Sequence, residues 1–429
     1  MTKPSTSQPV SALSLIFSQG IPPSLQLARS ISNPPTNGGR TSVGKGPSPG
    51  ISPSWTAGGG RRKAIQPEGI IQIPLLAESS QMSEQKKAVA LISGGLDSML
   101  AAKIVQEQGV HVEGINFYTG FCVEGHTHAI RRKDRDKQKR NNALWVAEQL
   151  GIKLHIVDVV EPYKAVLLNP RHGYGANMNP CLDCKIFMVS RARKWIETRG
   201  FDFIITGEVV GQRPMSQRRD TMPLVSRQSG ADELLLRPLC ARNLPPTLPE
   251  RQGWVDRNHL YDISGRSRKR QMALVEAFGI TDYAQPAGGC CFLTDASYSA
   301  KLRDLWASRG SRNYELDDII LLKVGRHLRP RPHFKIIVAR EEGETRFLEG
   351  YRHRFSHIRT LSHAGPLTLL DGDGITDDDL HLAARIAARY SQGRDADTVE
   401  VSVTRQESGT SNLEVAPLPP GEIESGWTV

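Results

Sequence analysis

The chain has 429 residues and a formal net charge of +10, enough length for two folded units with tails and enough positive charge to favour an anionic macromolecular partner, nucleic acid above all. No apolar run reaches the length of a membrane-spanning helix, so a soluble, cytoplasmic protein is expected. A solvated basic face gives the same sum, so the surplus charge has to be placed along the chain before it is interpreted.

Residues 1–85 are rich in Ser, Pro and Gly, with Asn33-Pro34-Pro35, Gly58-Gly59-Gly60 and Arg61-Arg62-Lys63, and are expected to be a disordered low-complexity tail. Leu13 to Phe17 is apolar, but only Lys3 precedes it and no small-residue cleavage site follows, which disfavours a signal peptide. Met82 is an alternative start position. From Lys86 strands and helices alternate: Ala88 to Ile92, Val112 to Phe117, Lys153 to Val159 and Phe201 to Thr206 read as strands, and Leu96 to Gln108, Asn141 to Leu150 and Lys185 to Thr198 as helices. This order predicts an α/β fold, a doubly wound parallel sheet with helices on both faces, over residues 86–310. A second, smaller α/β unit is predicted over 311–405, with helices at Leu316 to Val324, Arg346 to Tyr351 and Asp377 to Tyr390 and strands at Phe334 to Val338, Leu367 to Leu370 and Thr398 to Val403. Residues 406–429 are polar and read as a flexible tail.

The most informative segment is Ala88-Val89-Ala90-Leu91-Ile92-Ser93-Gly94-Gly95-Leu96-Asp97-Ser98, a buried strand running through a glycine turn into a helix start. Small residues let backbone N–H groups approach an oxyanion, and the helix N-terminus adds unpaired donors and a positive dipole end. No Gly-x-x-x-x-Gly-Lys is present in this segment, so it is not the loop that holds a transferable γ-phosphate. The pattern resembles the PP-loop of the ATP pyrophosphatase superfamily, whose members split ATP to AMP and pyrophosphate while adenylating an oxygen of the substrate. The resemblance implies ATP and Mg²⁺ as cofactors, with Ser93, Gly94, Gly95, Asp97, Ser98 and Gly207 binding the nucleotide and Asp97 taking a catalytic part through the metal.

Four of the six cysteines fall in two places: Cys181 and Cys184 in Asn179-Pro180-Cys181-Leu182-Asp183-Cys184, just ahead of a predicted helix, and Cys290 with Cys291 in a glycine turn. A helix start favours thiolates, so metal ligation, redox pairing and nucleophilic attack are all open. Structural zinc is the alternative metal, though vicinal cysteines are awkward ligands for one tetrahedral ion. A [4Fe–4S] cluster held by three thiolates fits Cys181 and Cys184 with one of Cys290 or Cys291, and a set of inert buried thiols is the plain structural reading.

With these cysteines and the Thr206-Gly207-Glu208-Val209-Val210-Gly211-Gln212-Arg213-Pro214-Met215-Ser216-Gln217 stretch, the chain resembles the PP-loop tRNA-thiolating enzymes, the 2-thiouridine synthases and thiouridylase-like proteins, over about Lys86 to Leu305. That likeness implies adenylation of a uracil carbonyl oxygen in tRNA and its replacement by sulfur, with Cys181 and Cys184 as catalytic residues and a sulfur donor protein as a second partner. The chain departs from the 2-thiouridine synthases in its second domain, which is unlike their β-barrels, and in its tight Cys-x-x-Cys, which is closer to the cluster-dependent enzymes. Two other readings are carried: a PP-loop ligase or amidotransferase using a nitrogen nucleophile, and a zinc-containing RNA-binding protein without catalysis.

Four segments are basic or polar enough to meet nucleic acid. In the 206–217 stretch Glu208, Gln212, Arg213 and Gln217 are candidates for ribose, base or phosphate contact. His126 to Arg140 and Arg266-Ser267-Arg268-Lys269-Arg270 are candidate phosphate contacts or solvated faces. Lys323 to Lys335 places several cations around a predicted turn before a strand, and with Ile336 to Glu344 it is similar to the RNA-binding domain of the NFACT family, which implies a domain that delivers folded RNA.

Overall fold

The computed structural model describes residues 85–123, 141–283, 290–406 and 408–429. The N-terminal tail to residue 84, the His126–Arg140 run and the glycines before Cys290 lie outside the described residues. Residues 83–429 form one compact unit containing two sheets.

The first sheet has five strands in the order β3-β2-β1-β4-β5. These are β1 (Lys87–Leu91), β2 (His111–Tyr118), β3 (Leu154–Asp158), β4 (Phe203–Ile205) and β5 (Leu235–Leu236). Every pairing is parallel; β1 lies centrally with Ala88 opposite both Val112 and Phe203. Its helices are α1 (Leu96–Gln106), α2 (Asn142–Leu150), α3 (Val160–Leu168), α4 (Cys181–Arg199), α5 (Thr221–Gln228), α6 (Leu248–Arg251) and α7 (Lys269–Ala277).

Side chains of a strand alternate between faces, and both faces here are covered. Ala88, Ala90, Phe203 and Ile205 pack with Leu100 and Val105 of α1, Val146 of α2 and Leu274 of α7. Val89, Ile115 and Ile204 turn the other way, toward Val189, Ala192 and Ile196 of α4 and Val225 of α5. The doubly wound expectation is met. Leu100 is fully buried, so its truncation to alanine would cost about 2–5 kcal/mol.

Helix α4 begins at Cys181, four residues earlier than predicted, so the Cys-x-x-Cys occupies its first turn. Pro180 fixes the entry, Asp183 complements the dipole, and Gly200 at φ 68° closes the helix in the left-handed region.

After α8 (Ala296–Arg309) and α9 (Leu316–Leu321) comes a six-stranded sheet in the order β11-β10-β8-β9-β7-β6. Its strands are β6 (Arg326–Arg331), β7 (Phe334–Val338), β8 (Ser356–Thr360), β9 (Thr368–Gly372), β10 (Val399–Arg405) and β11 (Gly409–Val415). All pairings are antiparallel. Helix α10 (Glu342–Glu349) intervenes between β7 and β8. Helix α11 (Asp377–Arg389) lays Leu380, Ala383, Ala384 and Ala387 on the sheet, in one core with Val401 and Val403. A capping box between Thr376 and Asp379 starts it.

Two expectations for this region change. The Lys323–Lys335 stretch contains a hairpin of β6 and β7 where one strand was expected, and four of its cations are paired with carboxylates. Arg329 pairs with Asp304 at 2.5 Å, Arg331 and His333 with Asp379 at 2.6 and 2.8 Å, and Lys335 with Asp371 at 3.2 Å. The segment after residue 405, polar in composition, includes β11, which pairs along its whole length with β10. Its polar residues lie on an exposed edge strand, where burial is not required.

Candidate active site

The carboxyl ends of β1, β2 and β4 present three loops side by side, the position where open α/β sheets bind ligands. The loop after β1 carries Ser93 to Ser98. Gly94 sits at φ 80°, a conformation that side chains disfavour, and Gly95 caps α1 without any side-chain hydrogen bond. The first N–H groups of α1 are thus left without side-chain acceptors, as an anion site needs. Ser98 Oγ donates to Gly95 O at 2.7 Å and accepts from Ser93 N at 3.4 Å, which braces the turn from inside.

Asp97 points across the loop. Its Oδ2 accepts from Gln212 Nε2 at 2.6 Å and lies 3.8 Å from the Arg268 guanidinium, while Oδ1 is buried with no hydrogen-bond partner. Gln212 is itself held by Gln271 of α7 at 3.2 Å. An unpartnered carboxylate oxygen beside an anion-binding turn suits Mg²⁺ that accompanies a nucleotide, so the residues present fit that cofactor.

The loop after β4 connects this turn to the cysteines. Gly207 passes so close to α1 that a β-carbon there would stand 2.4 Å from the Asp97 carbonyl carbon and oxygen. Gln212 follows at Asp97, and Ser216 accepts from the Cys181 thiol at 3.4 Å. Val210 forms a parallel bridge with Ser264, which carries Arg268 to the site. Glu208 has a different role from the ligand contact anticipated for it. It is buried, accepting from Thr206 Oγ1 at 2.9 Å and from Arg237 at 3.2 Å. Burial would raise its pKa, but Lys185 and Arg237 outweigh that and hold the carboxyl below its usual range. It therefore anchors the loop from below, and Gln217 is likewise buried.

Cys181 and Cys184 occupy the first turn of α4, and Cys184 lies within electrostatic reach of Cys181, Cys290 and Cys291. Burial pushes the Cys184 thiol up to about 12; a hydrogen bond from Tyr163 and the charge of Lys185 oppose the rise, and Cys290 and Cys181 add to it. Burial also holds the Cys291 thiol well above its ordinary value, with Cys290, Cys184 and Cys122 contributing. The donor chemistry suits a thiophilic centre, because several sulfurs disfavour each other's charge and a cation among them would reverse that. Among the described residues, however, no three potential ligands are gathered as a metal set.

Two residues of this site had no motif to mark them. Cys122 lies just beyond β2 and forms an antiparallel bridge with Cys291. Its signal was its place after the carboxyl end of a central strand. Lys323, grouped in the sequence with the basic hairpin, instead reaches back and donates to Gly120 O at 2.6 Å and Cys122 O at 3.5 Å, with its ammonium 4.9 Å from the Phe292 ring centre. Burial lowers its pKa to about 8, the Cys122 and Cys291 sulfurs pulling the other way.

Comparison with known proteins agrees with this layout. Residues 86–228 match the family described as tRNA methyl transferase HUP domain, and residues 325–428 match the NFACT protein RNA binding domain. A tRNA-specific 2-thiouridylase of Syntrophus aciditrophicus is 28% identical over 127 residues, 29% of this chain and 33% of that protein. A namesake from Pelobacter propionicus is 32% identical over 132 residues, covering 28% and 33% respectively. The chain resembles the PP-loop thiouridylases.

This chain spans about a third of the length of those relatives. The HUP match contains the phosphate turn, Cys181, Cys184 and the Gly207–Gln217 loop, whereas Cys290, Cys291 and Lys323 fall between the two matched segments. A solved 4-thiouridine synthetase–RNA complex with bound ATP aligns at 20% identity and a TM-score of 0.28, over 46% of this chain and 52% of that one, too low a score to bear on mechanism. No described helix is long and apolar enough to cross a membrane.

Proposed function

We propose that the chain is an ATP-dependent tRNA sulfurtransferase acting in the cytoplasm, which adenylates a uracil carbonyl oxygen and replaces it with sulfur, releasing AMP and pyrophosphate. The observation that carries this reading is the loop after β4, which touches the phosphate turn through Gly207 and Gln212 and the thiols through Ser216. Activation and sulfur delivery need adjoining places, and one segment reaches both.

In this reading the N–H groups and hydroxyls of Ser93 to Ser98 hold the β- and γ-phosphates, and Asp97 turns its free oxygen to Mg²⁺, while Arg268 stands by to balance charge near the α-phosphate. The uracil oxygen attacks that phosphate, so that oxygen then departs as AMP. Cys181 and Cys184 with Cys290 or Cys291 would hold a three-thiolate [4Fe–4S] cluster, which when bound supplies an iron open to sulfide. Lys185 and the start of α4 favour the thiolate charge that ligation needs, against the burial of Cys184. The C-terminal sheet domain would deliver tRNA and a partner protein would supply sulfur.

The test is anaerobic purification with a visible spectrum and iron, sulfide and zinc analysis, together with tRNA-dependent AMP formation and mass spectrometry of tRNA nucleosides. Wild-type protein should form AMP and a thionucleoside, and Cys181→Ala should lose the thionucleoside. AMP formation with an aminated nucleoside and no thionucleoside, unchanged in Cys181→Ala, would point to a nitrogen nucleophile; zinc without RNA-dependent AMP would point to a non-catalytic RNA-binding protein.

A further inference from the structure

The backbone around Cys122 and Cys291 has a specific register. Phe292 N donates to Phe121 O at 2.9 Å and Val123 N to Cys290 O at 3.4 Å, so the hydrogen bonds lie on either side of the Cys122–Cys291 pair and not within it. That makes it the non-hydrogen-bonded kind of antiparallel pair, whose Cα atoms stand about 4.5 Å apart with their side chains adjacent on one face. A disulfide bridges Cα separations of roughly 4.4–6.8 Å. Both cysteines are free thiols in the structure, and the Cys122 sulfur is close enough to contribute to the rise in the pKa of Cys291. The surroundings hold the pair in place. Lys323 pins the Gly120–Cys122 turn through two carbonyls, Thr119 Oγ1 lies 3.6 Å from Cys122 Sγ, and Leu293 N donates to Cys291 Sγ at 3.3 Å.

We infer that Cys122 and Cys291 are a reversible disulfide pair, a clasp that ties the turn bearing Cys290 and Cys291 to the end of β2. The inference does not depend on the proposed function. With a low-molecular-weight disulfide such as oxidised glutathione as oxidant, one cysteine thiolate attacks a glutathione sulfur, forming a mixed disulfide and releasing one glutathione thiolate. The second cysteine then gives up its proton and attacks the protein-bound sulfur, releasing the second glutathione. Two protein thiols are oxidised to one disulfide, and one glutathione disulfide is reduced to two thiols. No other atom is consumed.

The test uses the full chain in oxidised glutathione buffer, with remaining thiols blocked by N-ethylmaleimide at acid pH and non-reducing digestion read by mass spectrometry. A peptide joining Cys122 to Cys291 should dominate over every other cysteine pairing by about ten-fold, disappear on reduction, and be absent from both Cys122→Ser and Cys122→Ala. Because the clasp closes a long loop, oxidation should raise Tm by about 5 °C in wild type and leave the two variants unmoved. Recovery of Cys122 and Cys291 both as N-ethylmaleimide adducts, or of Cys291 joined to Cys184, would overturn the assignment. Since the readout is a cross-link, loss of tRNA-dependent AMP formation leaves it intact and counts only against the proposed function.

Discussion

Replacing Gly207 by alanine tests the closest approach in the site. The added β-carbon would stand 2.4 Å from the carbonyl carbon and oxygen of Asp97 and 2.5 Å from Ser98 N. Carbon atoms in contact settle at about 3.5–4 Å, so the end of β4 and the first turn of α1 must part by roughly 1 Å. All three obstacles are backbone atoms, and no side-chain rotation relieves the clash. Overpacking of this kind costs about 1–3 kcal/mol, which corresponds to a fall in Tm of roughly 2–10 °C. Displacing the phosphate turn by 1 Å should slow AMP formation by about 10²-fold. Calorimetry and tRNA-dependent release of labelled AMP measure the two effects. A Gly207→Ala protein with both quantities unchanged would refute the packing of this loop against α1 and, with it, the coupling of the two halves of the site.

Gly95→Ala is the complementary change. Its β-carbon would meet only Ser93 Oγ, at 3.5 Å, and φ is −88°, so Tm should hold while KM for ATP rises about ten-fold as the methyl enters the phosphate space; a lowered Tm would show the effect to be structural. Asp379 gives an acid signature: burial would raise its pKa, but hydrogen bonds from His333 and Thr376 and the charge of Arg331 bring it down to about 2 from an ordinary 3.8. Its folded pKa is depressed, so its contribution is complete above pH 3.8 and is lost as pH falls toward 2. Asp379→Asn should flatten acid unfolding across that window and cost about 1–2 kcal/mol at neutral pH through the weakened cap, as read by denaturant titration. Alkylation should separate the thiols: at pH 8 the part-buried Cys184, with its pKa pushed up to about 12, should react with iodoacetamide at least about ten-fold more slowly than the exposed Cys290, and equal rates would contradict the desolvation of the Cys184 thiol.

The parallel sheet could be read from the sequence because its signal is local: Ala88 to Ile92 is a continuous apolar run, and Asn141 and Gly151 bracket α2 with a side-chain cap and a left-handed stop. The Ser93–Ser98 turn was equally plain, since its glycines and serines stand at a strand-to-helix junction. What could not be read was partnership. Nothing near Arg329 or Arg331 in sequence reveals that Asp304 and Asp379 neutralise them, and a composition-based view therefore overstates the free positive charge of the hairpin. Strand β11 was missed because its outward residues, such as Thr410, Asn412 and Glu414, are polar on an edge that carries little burial signal. Cys122 joins the thiols only through a bridge to a residue far along the chain.

Lys323 and α9 limit how this protein can be divided. Ile319 and Leu322 share a core with Tyr163 of α3 and Leu293 beside the cysteines, and Ile319 crowds the space over Gly120. A fragment ending at Gly310 would open that core and strip the ammonium from the turn that holds Cys122. Exchanging the C-terminal sheet domain with that of another protein at such a cut would thus damage the edge that carries the thiols as well. Any graft has to keep Leu322 and Lys323 with the first domain and be made between Lys323 and β6.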